Sequence, residues 1–389
     1  MLATDARADT STVVTGPAAP LGVELRADMD LPAPDAAALD ALIDGQPAVG
    51  VFLSRAWLSG FFAEPPAGLE PRLLILRDGS ALRGAVAIGL LEGRTHVRVT
   101  LLGGHLGSDR VDVLAARGFE TACADAVLRW LARSFGRRGF LLELRDVPAS
   151  SSLWGAIHRA ANGGTGSIVL QPREVQVLPY LDLEDKRTAV AGPSQRSIDK
   201  HRRWLERRGR ILVETLTDRH EVLWGFESLE RFLHARWKDA AGGSALSSPR
   251  VQRFHRFVLP RLLQEGRLRM VRLSADMRTV AIFYGLAAGR WWGYYLAGYD
   301  REWAGRIHLG RLLLANAIDL ADQQRAVEFD FLKGTEPVKY LWPVRERITL
   351  DADLYSTGPG PQFVRAARAT REVAAAFLKC GCHFRAPQS

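Results

Sequence analysis

Cysteine is scarce in this sequence. Only Cys123, Cys380 and Cys382 occur among 389 residues, too few for a disulfide framework and consistent with a reducing compartment. Cys380 and Cys382 form a C-x-C with His383 close by, but no fourth ligand stands at a compatible spacing, so no metal is expected. Runs of about 18 apolar residues are absent, which excludes a simple membrane-spanning helix. The opening stretch, Met1 to Pro20, is rich in Ala, Thr and Pro and lacks the basic start and apolar middle of a secretion leader. Residues 1–22 therefore read as a disordered tail, and a cytoplasmic location is expected. Lysine is used sparingly beside arginine.

What is present is a globular composition, 47% hydrophobic and 24% charged, in a chain long enough for two cores. A net charge of +9 raises nucleic-acid binding as a question. Most of the arginines are scattered, with one concentration at residues 196–210 (RSIDKHRRWLERRGR). That segment reads as a helix with Lys200, Arg203 and Arg207 at helical spacing. It suits a solvated face, a phosphate-bearing acceptor or a tRNA.

The element order repeats. Residues 35–45 and a segment capped by Ser54 read as helices. Three strand-like runs follow, PRLLILRDG, ALRGAVAIGLLEG and RTHVRVTLLGG, with turn signals at Asp78-Gly79 and Glu92-Gly93. A glycine-rich loop, a helix over 118–135 and the strand FLLELRDV complete the unit. Downstream, LRMVRLSADM, TVAIFYGLAAG and RWWGYYLAGYD lead to the helix RLLLANAIDLADQQ and the strand AVEFDFL. A shift of 196 positions places Ala85 on Ala281, Leu90 on Leu286, Gly93 on Gly289 and Arg94 on Arg290. Together these signs imply an internal duplication. The expected units are a lobe at 23–179, a second at 180–356 and a tail at 357–389. Each unit is a meander, a loop, a helix and a returning strand, the plan by which GNAT acyltransferases present a helix start to coenzyme A.

The C-terminal half resembles the BioF2-like acetyltransferases, among them CelD/BcsL-type proteins of cellulose biosynthesis, within the FemAB-like group of paired GNAT lobes. The residues that carry the likeness are Phe232 and Trp237, Tyr299-Asp300, Gly310 to Leu314, and Phe329-Asp330-Phe331-Leu332-Lys333-Gly334 with Glu336, Lys339, Tyr340 and Trp342. Val338 stands where the family pattern has a tyrosine. The resemblance spans roughly residues 180–355, with a fainter echo over 51–154. It implies an α/β (α+β) fold of two GNAT-like lobes, each a mixed, mostly antiparallel sheet flanked by helices. It also implies acyl transfer from acetyl-CoA or another acyl-CoA to an amine or hydroxyl of a polysaccharide or envelope precursor. FemAB relatives use aminoacyl-tRNA instead, and a non-catalytic binding protein on the same fold is the remaining alternative.

Acyl transfer needs a base, oxyanion donors and an acid for the leaving thiolate. Alternation in AVEFDFL turns Phe329 and Phe331 to a core and Glu328 and Asp330 to the other face. Asp330 is the expected base or its orienter, with Lys333 and Glu336 beside it and Tyr340 as thiolate acid. Arg306, Gly310, Arg311 and Leu312 are expected to hold the donor, although residues 305–311 space their glycines and arginines differently from R/Q-x-x-G-x-G/A. Lys200, Arg203, Trp237, Tyr284, Tyr294 and Lys339 are the expected acceptor-binding residues. The N-terminal unit has no FDF-K-G equivalent and reads as a supporting wall.

Overall fold

Hairpin chemistry and apolar patterning build both halves in the same way. The computed structural model describes residues 19–162, 168–185, 195–207, 211–237, 246–304 and 308–369, without the side chains of Pro47, Gln195, Arg196, Ser197, Trp237 and Ala304. The cysteine pair at 380 and 382, His383, Arg306 and residues 1–18 of the expected tail lie outside the described residues. In the first half, β1 (Gly22–Arg26) is followed by α1 (Ala33–Gly45), α2 (Pro47–Gly50) and α3 (Arg55–Ala63). Ser54 caps α3 by accepting from the Trp57 N–H at 3.3 Å, as its residue type predicts. Strands β2 (Glu70–Asp78), β3 (Ala81–Glu92) and β4 (Val97–Leu101) form the meander. The β2–β3 reversal uses Gly79 at a φ of 59°, where a side chain would be strained. After β5 (Leu114–Ala115) come α4 (Glu120–Phe135), β6 (Phe140–Pro148) and α5 (Ser152–Asn162).

The long strand β7 (Ile168–Asp182) leads to α6 (Gln195–Glu206) and β8 (Ile211–Thr215), then to α7 (Arg219–Trp237) and α8 (Pro249–Gln264). The second meander is β9 (Leu268–Ala275), β10 (Arg278–Ala288) and β11 (Trp291–Tyr299). Short α9 (Arg301–Ala304), α10 (Leu309–Gln323), β12 (Glu328–Asp330) and β13 (Arg345–Ser356) finish the unit, and residues 359–369 are helical. Ala85 lies in β3 and Ala281 in β10, the middle strand of each meander.

All the strands among the described residues join one 13-stranded sheet ordered β1-β2-β3-β4-β6-β13-β7-β12-β11-β10-β9-β8, with β5 on β3. Two pairings are parallel, β4 with β6 and β11 with β12, the same place in each lobe. The centre is a reciprocal exchange. Strand β7 follows the first lobe in sequence but pairs with β12 of the second, while β13 follows the second and pairs with β6 of the first. The two exchanged strands then pair with each other. The fold is thus an α/β assembly of two lobes on a mostly antiparallel sheet, and the expected boundary at 179/180 falls within β7.

Among the described residues three apolar cores cover the sheet. One lies under α4 and α5, around Val99, Val127 and Leu142. Another lies under α6 and α10, around Phe283, Leu313 and Phe329. The third is shared between lobes: Trp57, Phe61, Phe254, Tyr284 and Trp291 pack α3, α8 and β10 together. Burial of such large side chains stabilises by about 1.5–3 kcal/mol each, so the shared core fixes the lobes as one body.

Candidate active site

The second lobe opens where its parallel strands part. β11 and β12 pair only at Trp291↔Glu328, Trp292↔Phe329 and Gly293↔Asp330. Just past that point β11 carries a bulge. Tyr284 faces Leu296 while Gly285 faces Tyr294, which leaves Tyr295 as the extra residue. A cleft of about 320 Å³ lies here, walled by Tyr294, Tyr299, His308, Gly310, Arg311 and Val338. The start of α10 forms one side. Its first turn holds no acidic residue and its cap position is His308. Helix starts present free N–H groups and partial positive charge, so this wall suits an anion. Arg311 reinforces it, because the side chain forms no ion pair among the described residues. Gly310 sits against the Tyr299 ring, 3.1 Å from where a Cβ would stand. Tyr294 stacks on Phe283 with ring centroids 5.7 Å apart, and burial pushes its phenol up to about 12.

Gly310 and Arg311, expected at the donor, therefore meet Tyr294 in one cleft. Leu312 does not join them. Its side chain is in the core, and its N–H donates to the His308 carbonyl at 3.1 Å. The basic helix α6 packs beside the cleft through buried Ile198 and Leu205. His201 stands edge-on to His308 at 5.3 Å, and Arg202 donates to Asn316 at 3.3 Å. Burial, then the neighbouring His308, Arg311 and Lys200, lower the His201 pKa. Lys200 and Arg203 are exposed on this helix and line no part of the cleft.

A second polar centre lies at the seam between lobes. Asp330, expected as a base, is completely buried and paired with Arg110 from the loop after β4. Its other oxygen accepts from the Leu332 N–H at 2.8 Å. Asp330 is thus an inter-lobe bolt with no accessible face. Lys333 donates from Nζ to Asp146 at 2.6 Å and from its N–H to Asp109 at 3.1 Å. Asp351 accepts from the Asp146 N–H at 2.8 Å and bridges to His105 Nε2 at 2.7 Å. The hydrogen bond to Asp351 is the main cause of a raised His105 pKa. Burial raises the half-buried Asp109 carboxyl, and Lys333 opposes the shift.

Three non-glycine residues of this network have left-handed backbones: His105 (φ 56°), Asp146 (φ 58°) and Leu332 (φ 57°). Such conformations cost about 1–3 kcal/mol each and cluster at functional sites. A bulge between Leu350 and Ala352 sets Asp351 opposite Asp146. Asp109, Arg110, Asp146, His105 and Asp351 were not legible as site residues. Only the polar character of the first four, in the GGHLGSDRVDV loop and in FLLELRDV, hinted at them, and Asp351 in β13 gave no such sign.

Other expectations are corrected by contacts. Lys339 is buried, and its ammonium donates to the carbonyls of Lys333 at 2.6 Å and Gly334 at 3.2 Å, with Glu336 at 2.9 Å. It fastens the 333–339 loop and has no donor left for an acceptor, while exposed Glu336 serves that fastening. Tyr340 donates to Glu346 at 2.6 Å on the surface, and this bond raises its pKa. Its proton therefore points away from the cleft, which it does not line. Tyr284 is fully buried in the shared core, 3.4 Å from His255 Nδ1, so it offers no binding surface. Trp237 ends α7, and its side chain lies outside the described residues.

Residues 194–340 match the family model described as "Acetyltransferase (GNAT) domain". Comparison with curated proteins finds no match. Among solved structures the chain is similar to FemX, at 10% identity over 84% of this chain and 96% of that one, with a TM-score of 0.58. It is similar to the C-terminal domain (DUF2156) of a putative lysylphosphatidylglycerol synthetase from Agrobacterium fabrum, at 10% identity over 87% and 96%, with a TM-score of 0.54. It is also similar to L-PGS from Bacillus licheniformis, at 13% identity over 88% and 97%, with a TM-score of 0.50. At these identities the likeness is one of fold, and it extends over both lobes. No single helix among the described residues is long and apolar enough to cross a membrane. The second lobe thus matches a GNAT domain model over residues 194–340, and the chain has a mixed α/β fold of two GNAT-like lobes.

Proposed function

We propose that this protein is an acyltransferase that takes its donor, acetyl-CoA or another acyl-CoA, in the cleft at the start of α10. The acceptor is an amine or hydroxyl of a polysaccharide or envelope precursor, a class suggested by the sequence resemblance alone. The observation that carries the reading is the acid-free, arginine-bearing helix start set in the wedge between β11 and β12. A pyrophosphate would be met there by backbone N–H groups and Arg311. In the reaction the acceptor atom attacks the thioester carbonyl, the C–S bond breaks, and the thiolate takes a proton. The Tyr294 phenol, neutral at physiological pH, is the acid we favour. The raised Asp109 carboxyl is the base, with Lys333 beside it. One loop joins the two centres, since Lys333 is on the seam while Pro337 and Val338 wall the cleft.

Calorimetric titration tests this. Acetyl-CoA should bind in the micromolar range, about −8 kcal/mol, and Arg311→Ala should weaken it roughly tenfold. An absence of heat with acetyl-CoA and with longer acyl-CoAs would remove the donor from the account. A second reading, aminoacyl transfer from tRNA, is favoured by the basic α6 beside the cleft. It would show as RNA-dependent activity with steep salt dependence. The lysylphosphatidylglycerol synthetase neighbour is named for a lysyl-bearing product, which fits transfer of an aminoacyl group.

A further inference from the structure

The first lobe contains a cavity that the transfer chemistry does not use. It measures about 600 Å³ and lies between α4 and α5, over the ends of β6 and β13 and the start of β7. Its origin is legible in the helices. Ala132 of α4 and Gly136 just past its end oppose Ala156 and Ala160 of α5, so the facing stripes leave open the space that larger side chains would fill. The floor is apolar, formed by Phe140, Ile168 and Leu354. The volume falls in the range of sites that enclose a small molecule, roughly 300–1,000 Å³.

The rim supplies the sign of the ligand. Asp125, Arg129 and Arg159 stand there, two guanidiniums to one carboxylate. Asp125 is already taken, since it accepts from Arg159 at 2.8 Å. Arg129 makes no hydrogen bond or ion pair among the described residues. An apolar cavity edged by one uncompensated cation selects an amphipathic anion. A neutral apolar molecule would leave the guanidinium unanswered, and a cationic amphiphile would be repelled.

We propose that this cavity binds a single-chain fatty carboxylate, its chain between α4 and α5 and its carboxylate on Arg129. The site is separate from the acyl-donor cleft, with which it shares no lining residue.

The test is titration of the full chain with dodecanoate below its micellar concentration. Saturable one-to-one binding is expected in the wild type, weakened at least about fivefold by Arg129→Gln through loss of the charge-assisted contact. Ala132→Trp should abolish binding by filling the cavity. Ala132 is exposed at the helix surface, so the tryptophan need not disturb the core, and an unchanged melting curve would show this. The proposal is overturned if dodecanoate does not saturate the wild type or binds Ala132→Trp equally well. Equal affinity for dodecyltrimethylammonium would also overturn it, as would binding only to phosphatidylglycerol vesicles.

Discussion

The two lobes repeat one plan and differ at the helix start that follows each meander. In the second lobe the helix α10 opens without an acid and faces a cleft of about 320 Å³ walled by Arg236, His308 and Arg311. In the first lobe the corresponding helix α4 opens with Glu120, and the pocket beside it, about 190 Å³, is walled by Glu120 and Asp112. The carboxylate of Glu120 already answers the helix dipole there, so a phosphate would meet repulsion. The strands differ too. β3 and β4 pair in unbroken register, whereas β10 and β11 carry the bulge at Tyr295. The loop after β4 is committed to the partner lobe through Arg110 and Asp109. The repeated plan thus keeps the helix start in both lobes and an acid-free setting for it in one.

The largest expected effect comes from cutting the bolt that lets the first lobe support the second. Arg110→Ala strands a buried Asp330 charge and should destabilise the protein by about 3–5 kcal/mol in denaturant titration. Replacing both partners by apolar residues should recover most of that loss. If the single variant unfolds like wild type, the lobes are held by the shared core alone.

Inverting the donor wall ranks next. Arg311→Glu should weaken acyl-CoA binding about 100-fold, roughly 2.7 kcal/mol, because it gives α10 the acidic wall that α4 already has. The opposite exchange, Glu120→Arg, should leave acyl-CoA affinity within about twofold of wild type. A large effect of Glu120→Arg would break the asymmetry.

A smaller effect concerns Asp112, whose carboxyl burial pushes up to about 6. The unfolded chain holds such a group near 4, so the fold prefers the protonated form. Stability from this group is full below about pH 4 and is lost as pH rises through about 6. Asp112→Asn should therefore gain on the order of 1–2 kcal/mol over wild type at pH 8 and little at pH 4, read from melting curves across that range. No pH dependence in the difference would place the carboxyl in water.

The smallest expected change is in acetyl-CoA affinity after Lys200→Ser and Arg203→Ser, which should shift it by less than about twofold since both side chains are exposed. The same pair would markedly reduce the salt dependence of tRNA binding, so the double variant separates the two donor readings.

Much of this architecture was legible because it follows local rules. Ser54 before an apolar helix, Asp78-Gly79 between strands and the alternation of Phe329 and Phe331 each led to the observed element. In β11 the separate cores take Trp292 and Tyr294 on one face and Trp291 and Tyr295 on the other. The exchange of β7 and β13 was not legible, because sheet order at the centre depends on partners about 180 residues apart. The same distance hid the seam. Asp330 was read from its own strand, yet its partner Arg110 is 220 positions away. Lys339 and Tyr340 misled for a different reason. Their residue types suit chemistry, but local carbonyls and Glu346 claim their polar atoms.

Amide hydrogen exchange with and without acetyl-CoA shows whether the proposed donor enters the second lobe alone. Exchange should slow at the start of α10 and along residues 294–299 of β11 and stay unchanged at the start of α4. Protection at α4, or equal protection at both helix starts, would contradict entry into the second lobe alone.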